Sequence, residues 1–195
     1  MKKTLPASYF SHVYNNSSDP WNFETSPYEK AKYEATVAAL PEQHYNKALE
    51  LGCSIGVLTA MLAKRCSHLL STDISDTPLQ KARERLKNQS HVSFLQAAIP
   101  AEYPEDKFDL IVMSEVGYYL SKEDLEKAKE KIIHSLEKNG DLILVHWLPV
   151  VPDYPLTGDE VHDLFLQPDA RLQHLSGMRE EKYRMDVVRK IGGQE

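Results

Sequence analysis

From about residue 47 the chain alternates short runs of consecutive apolar residues with longer stretches whose apolar side chains recur every three or four positions. Residues 48–51, Ala48-Leu49-Glu50-Leu51, read as a buried strand. A Gly-containing turn then opens a helix over 57–64. Residues 69–73 read as a second strand, followed by a helix over 77–87 with Pro78 in its first turn. Residues 92–96 give a third strand and 108–113 a fourth, whose near-continuous apolar run suits a parallel strand buried on both faces. Residues 122–138 form an amphipathic helix with Leu125, Ala128, Ile132, Ile133 and Leu136 inward. Asn139-Gly140 is its stop signal, and 141–147 is the fifth strand. Such alternation predicts a doubly wound α/β sheet, mostly parallel, with right-handed crossovers and helices on both faces. After a helix over 158–166, residues 172–178 and 182–188 read as two strands joined by Arg179-Glu180-Glu181, an antiparallel pair at the C-terminal edge.

The first 40 residues are polar, aromatic and helical in pattern, within a single domain spanning 1–195. Ser26-Pro27 with Glu29 is a helix start: Ser as N-cap, Pro in the first turn, and Glu three residues after the cap. Ala31, Ala35, Val37, Ala38 and Leu40 would supply its buried face, and Pro41 stops it. Composition adds exclusions. A net charge of −6 lacks the basic face of a nucleic-acid binder. Cys53 and Cys66 have no metal-ligand or redox spacing, and no metal is expected. Met1-Lys2-Lys3 is followed by polar residues where a secretory leader needs apolar ones. The most apolar stretch, 142–152, is too short to span a bilayer. A cytoplasmic protein is the expectation.

The chemistry concentrates in the first strand-to-helix turn, Glu50-Leu51-Gly52-Cys53-Ser54-Ile55-Gly56. Glycines there let the backbone turn tightly and let a ligand approach, above the carboxyl ends of the strands where open α/β sheets bind cofactors. An acidic residue ending the second strand suits ribose hydroxyls. Asp73 stands there, 73 − 52 = 21 positions after Gly52. The dinucleotide fingerprint needs glycines where Ser54 and Val57 stand, so a nicotinamide cofactor is disfavoured. The bland alternative is a structural turn and nothing more.

The loop, with Asp19-Pro20-Trp21, Pro27-Tyr28-Glu29-Lys30 and Ser114-Glu115-Val116-Gly117-Tyr118-Tyr119-Leu120, resembles the nodulation-protein-S-like group of class I S-adenosylmethionine-dependent methyltransferases. The stretch from His146-Trp147 to Gly158–His162 is similar to that of bacterial relatives of the group rather than of the nodulation enzymes, whose acceptor is the amino group of a deacetylated chitin oligosaccharide. The resemblance implies a Rossmann-like methyltransferase sheet, with S-adenosylmethionine as donor and S-adenosylhomocysteine as product. It implies the methionine half of the donor over Gly52, Cys53, Ser54 and Gly56, the ribose on Asp73, and adenine against Ile74 and the stretch Ala97, Ala98 and Ile99. Glu50 would accept backbone N–H groups or reach the donor's amino group. Ser114 and Glu115 end the fourth strand facing the site, and Glu115 could bind the donor, steer an amine, or cap the next turn. Trp21 and Tyr28 would belong to an N-terminal lid over 1–40.

On the acceptor side, Tyr118 and Tyr119 could wall the pocket or pack in the core. His146 could take a proton from an acceptor or be a satisfied core histidine. Tyr154, Asp159 and His162 would line the acceptor pocket. Methyl transfer needs nucleophile, methyl and sulfur collinear, so positioning dominates. A neutral amine needs no strong base, whereas a hydroxyl does. N-methylation of a small molecule leads, with O-methylation and non-catalytic donor binding as alternatives.

Overall fold

A computed structural model describes residues 2–192; residue 1 and residues 193–195, the two ends of the domain expected over 1–195, lie outside the described residues. Two helices, α1 (Ala7–Asn16) and α2 (Pro27–Ala38), precede the sheet. Then come β1 (Tyr45–Leu51), α3 (Val57–Leu62), β2 (Cys66–Asp73), α4 (Asp76–Arg85), β3 (Val92–Gln96), β4 (Phe108–Ser114), α5 (Lys122–Ser135), β5 (Leu136–Trp147), α6 (Gly158–Phe165), β6 (Leu172–Arg179) and β7 (Tyr183–Lys190).

The seven strands lie in the order β3-β2-β1-β4-β5-β7-β6. β1 through β5 pair in parallel, while β7 runs antiparallel to both β5 and β6. The alternating sheet and its antiparallel edge are therefore as the hydrophobic pattern predicts. Successive residues of the central strands face opposite layers. Leu49, Leu51, Ile111, Met113, Leu142 and Leu144 pack with α5 and α6, whereas Ala48, Leu110, Val112, Ile143 and Val145 pack with α2 and α3. Strands buried on both faces carry no polar alternation, which is why they read as apolar runs. The strand order reverses between β1 and β4, so a crevice opens there at the carboxyl ends, where such sheets hold ligands.

Two expectations need correction. α2 starts as predicted, with the Ser26 hydroxyl accepting from the Glu29 N–H. Its buried residues, however, are Glu29, Lys32, Tyr33 and Thr36, while Ala31 and Ala38 are exposed. Tyr33, Ala35 and Val37 pack with the apolar core, as does Leu40 beyond the helix, while Glu29 and Lys32 face the cavity, so the buried face is part apolar and part polar. At the other end of the sheet, the long helix stops at Ser135 and β5 starts at Leu136 rather than at 141. Phe108 pairs with Leu136 and Leu110 with Asp141, so extra chain bulges out of β5 between those pairs. Asn139 takes φ +65° within that bulge. The Asn-Gly signal thus marks an irregular strand, not a helix cap.

Candidate active site

A cavity of about 520 Å³ lies over the β1/β4 reversal, within the range of small-molecule sites. Its floor is the loop after β1. Gly52 has φ +76°, and a Cβ there would stand 2.1 Å from Val116 Cγ2, so only glycine fits. Ser54 is also left-handed, at φ +49°. Its N–H donates to Asp73 Oδ2 (2.9 Å), while Asp73 Oδ1 accepts from the Ser75 N–H (2.9 Å). Asp73 is thereby aimed at the loop from the end of β2, and burial pushes its carboxyl up to about 6 despite these bonds. Beneath the loop, Glu50 Oε2 accepts from the hydroxyls of Thr59 (2.6 Å) and Ser71 (2.8 Å). Two hydroxyls therefore replace the backbone N–H partners expected from sequence. Burial raises Glu50 to about 7.

The N-terminal segment closes one side. Phe10 and Tyr14 of α1, Trp21 and Phe23 of the following turn, and Tyr28, Glu29, Lys32 and Tyr33 of α2 all line the cavity. The Tyr14 hydroxyl lies 2.5 Å from Ser54 Oγ, which ties α1 to the loop. The second tie is ionic: Lys32 Nζ donates to Glu115 Oε1 (2.7 Å) and Glu29 Oε1 (3.1 Å). Lys32 is 2% exposed. Glu115, just beyond β4, has φ +60°. Its second oxygen accepts from the Trp147 N–H (3.0 Å) and from the Tyr118 hydroxyl. The Lys32 ammonium also sits 5.5 Å from the centre of the Tyr28 ring, and the buried Tyr28 hydroxyl has no hydrogen-bond partner among the described residues.

The structure therefore brings together Trp21, Tyr28, Glu50, Gly52, Cys53, Ser54, Asp73, Ile74, Ala97, Ile99, Ser114, Glu115, Tyr118, Tyr119 and Tyr154 around one space. It places others elsewhere. Gly56 does not line the cavity; it caps α3 at φ +79°, and a Cβ there would meet Ala82 of α4 at 2.9 Å. Ala98 turns its N–H to Glu102 Oε2 (2.8 Å), outside the lining. Asp159 is paired with Arg179 and Arg184.

His146 is wholly buried behind the cavity wall. Its Nε2 accepts from the Gly117 N–H (3.0 Å), and its Nδ1 lies 3.1 Å from Nε2 of the equally buried His162. The expected acceptor-side base is thus committed to a backbone bond, because β5 turns this side chain toward α6 rather than toward the opening.

Glu29, Lys32 and Tyr14 were missed from sequence. The Glu29/Lys32 spacing of 32 − 29 = 3 was legible as a helical pair but gave no hint that the pair is buried. What the cavity lacks is positive charge. Among the described residues, four carboxyl groups, those of Glu29, Glu50, Asp73 and Glu115, line it against the single ammonium of Lys32. That donor set, walled by aromatic rings, fits a cationic ligand.

Comparison with known proteins sharpens the assignment. Residues 13–147 match the family model described as nodulation protein S (NodS). The chain belongs to that family. Nodulation protein S of Rhizobium tropici is 29% identical over 129 residues, covering 65% of this chain and 54% of the relative. That of Bradyrhizobium diazoefficiens is 35% identical over 103 residues, covering 52% and 49%. The chain thus spans about half the length of the curated nodulation proteins S it matches. Among solved structures, N-methyltransferase NodS from Bradyrhizobium japonicum, in complex with S-adenosylhomocysteine, superposes with a TM-score of 0.85 at 22% identity, covering 94% of this chain and 97% of that one. A chain from Pseudomonas syringae is 33% identical with a TM-score of 0.74, covering 84% and 99%. The fold is the methyltransferase Rossmann-like fold. Among the described residues no helix is long and apolar enough to cross a membrane.

Proposed function

We propose that this chain transfers a methyl group from S-adenosylmethionine to the amino group of a small acceptor. The observation that carries the reading is the Glu115–Lys32 pair. A carboxylate at the end of β4, lining the cavity, already holds a primary alkylammonium beside the ring of Tyr28.

The residues present fit the donor. Asp73 has one hydrogen bond on each oxygen and lone pairs left for ribose hydroxyls. Gly52, Cys53 and Ser54 offer the close approach a methionine chain needs. Ile74, Ala97 and Ile99 offer apolar contact for adenine. S-adenosylmethionine, when bound, supplies a methyl group on an already activated sulfonium carbon.

The chain's own residues would do the rest by orientation and exclusion of water. Glu115, fixed by Trp147 and Tyr118, draws an amine to the end of the fourth strand. Tyr28, Tyr118, Tyr119 and Tyr154 wall the space, and the α1–α2 segment covers it. The acceptor nitrogen must arrive neutral or shed its proton, and Glu115 is the carboxylate placed to receive one. The hydroxyl-acceptor reading relied on His146 as base, and His146 does not reach the cavity, so an amine is favoured.

The test is a panel of primary amines, amino sugars included, and matched alcohols incubated with S-adenosylmethionine, with S-adenosylhomocysteine formation as readout. Turnover of amines alone, reduced by Glu115→Gln at unchanged donor affinity, is expected. Turnover of alcohols alone, or donor binding with no transfer to any member, would overturn the proposal.

A further inference from the structure

The mechanism above makes no use of a buried string of groups directly behind the cavity wall. It starts at the Gly117 N–H, in the turn that carries Glu115 and Tyr118, and passes through His146 on β5 and His162 on α6 to Asp186 on β7. His146 and His162 are 0% exposed and Asp186 is 3% exposed. Three unpaired strangers to the core would be costly, so the string demands a full account of its protons.

Each proton is assigned by its neighbours. The Gly117 N–H can only donate, so His146 Nε2 must present a lone pair. A neutral imidazole with Nε2 bare carries its hydrogen on Nδ1, which therefore donates to His162 Nε2 (3.1 Å). His162 must in turn carry its hydrogen on Nδ1, which donates to Asp186 Oδ2 (2.6 Å). Asp186 is the acceptor that ends the string. Its oxygens are also held by Arg184 Nε (2.8 Å) from its own strand and by His174 Nε2 (2.7 Å) from β6. Every arrow points the same way, from backbone amide to carboxylate.

We propose that His146, His162 and Asp186 form a relay of fixed tautomers that positions the Glu115–Tyr118 turn, with His146 a positioning residue and not the base of the reaction. Its role at the site rests on the reading of Glu115 given above, but the relay itself does not.

The relay adds to a turn already tied by the Glu115 N–H on the Val145 carbonyl, the Tyr119 N–H on that of Val116, and the Glu115 side chain. Glu115 sits at φ +60°, a backbone region that non-glycine residues enter only when their surroundings hold them there. Gly117 is jammed against the relay: a Cβ on it would stand 2.5 Å from Val161 Cγ1 and 3.0 Å from His146 Nε2. A proton on His146 Nε2 would oppose the Gly117 N–H donor to donor and push the turn toward the cavity. The electrostatics resist that proton. Burial, then the neighbouring His162 and the Lys32 ammonium, hold His146 well below the ordinary histidine range. Burial likewise lowers His162, against the opposing pull of Asp186, with Arg184 acting in the same sense as burial and Asp159 against it. Burial would raise Asp186, but its bond from His162, the charge of Arg184 and the bond from His174 keep it ionised. Glu115 and the Tyr118 hydroxyl lie on the cavity side of the turn. The relay is therefore neutral at both imidazoles and anionic at its far end.

Histidine-labelled protein examined by long-range 1H–15N correlation from pH 5.5 to 8.5 reads this directly, with His146→Gln and His162→Gln assigning the signals. Both rings should show a hydrogen on Nδ1 and a bare Nε2 at neutral pH, with any protonation confined to the acid side of the ordinary histidine range. A hydrogen on Nε2 of either ring at neutral pH overturns the relay.

Amide hydrogen exchange then separates positioning from general support. His146→Gln keeps an acceptor for Gly117 and a donor for His162, so protection of residues 114–120 should be retained. His146→Leu has neither, and exchange there and across α2 should rise roughly 5- to 100-fold, the span of losing a buried hydrogen bond, with β5 and β7 unmoved. Equal loss of protection along β5 and β7 would make His146 a mere core residue. Equal behaviour of the Gln and Leu variants would also sink the proposal. Titration with S-adenosylhomocysteine is independent of these readouts: its failure with the tautomers intact overturns the functional reading and leaves the relay standing.

Discussion

Replacing Glu50 with glutamine isolates the cost of holding a carboxylate beneath the ligand loop. Glu50 is 2% exposed, and the only hydrogen-bond partners of its carboxyl among the described residues are the Thr59 and Ser71 hydroxyls, both on Oε2. Burial lifts it from an ordinary 4.5 to about 7, against the opposing pull of those hydroxyls. A carboxyl whose folded-state pKa lies above its unfolded one stabilises the fold fully below pH 4.5. That stabilisation is lost as pH rises through about 7. The gap, 7 − 4.5 = 2.5 in pH, corresponds to about 3 kcal/mol at 1.36 kcal/mol per pH unit. Asp73, raised to about 6, slopes the same way, so the informative quantity is the difference between proteins. Urea unfolding followed by the fluorescence of Trp21 and Trp147 at pH 5 and pH 8 supplies it. Glu50→Gln should gain on the native protein by about 2–3 kcal/mol between the two pH values, slightly less than the whole gap because pH 5 already lies above 4.5, since the amide does not ionise. Parallel pH profiles for the two proteins would refute a buried, high-pKa Glu50.

Lys32→Met leaves Glu29 and Glu115 facing each other without their ammonium, and removing one partner of a buried pair costs about 3–5 kcal/mol. Its melting point should fall more at pH 8 than at pH 5, and adding Glu115→Gln should recover part of the loss; a drop independent of pH would count against the charge account. Gly52→Ala forces a Cβ onto Val116 and an L-residue into φ +76°, costing roughly 1–3 kcal/mol in backbone strain, with the added contact beyond that. Adding Val116→Ala should relieve the contact and not the strain, as thermal melts would show. With Asp73 proposed to hold the donor as a carboxylate and its pKa raised to about 6, donor affinity is expected to rise from pH 5 to pH 7.5, and that part of the rise to vanish in Asp73→Asn; calorimetry at the two pH values checks it.

The sheet was legible because strands buried on both faces are written as apolar runs, and the loop because its glycine and the acid ending the next strand, Gly52 and Asp73, fall at the carboxyl ends of adjacent strands and line one cavity. Ser54 concealed its conformation. It is left-handed like a glycine and is held there in company with Tyr14, a partner 40 residues upstream. The face of α2 was misread because Lys32 is buried between Glu29 and Glu115, and no periodicity within one helix reveals a partner beyond the end of a distant strand. His146 could be placed after β5, but its direction depends on His162 and Asp186, which approach it only through the packing of α6 and β7. Asn139-Gly140 carried a helix-stop signal whose φ > 0 requirement is equally met by a bulge.

The central claim is that the β1–β4 crevice is a donor site built on Asp73. Calorimetric titration with S-adenosylmethionine, alongside NAD and the Asp73→Ala variant, tests it most directly. The account predicts saturable binding of S-adenosylmethionine alone, lost in the variant while its melting profile stays cooperative. No binding by well-folded protein, or binding indifferent to Asp73, would contradict it and reduce the glycine loop to a structural turn.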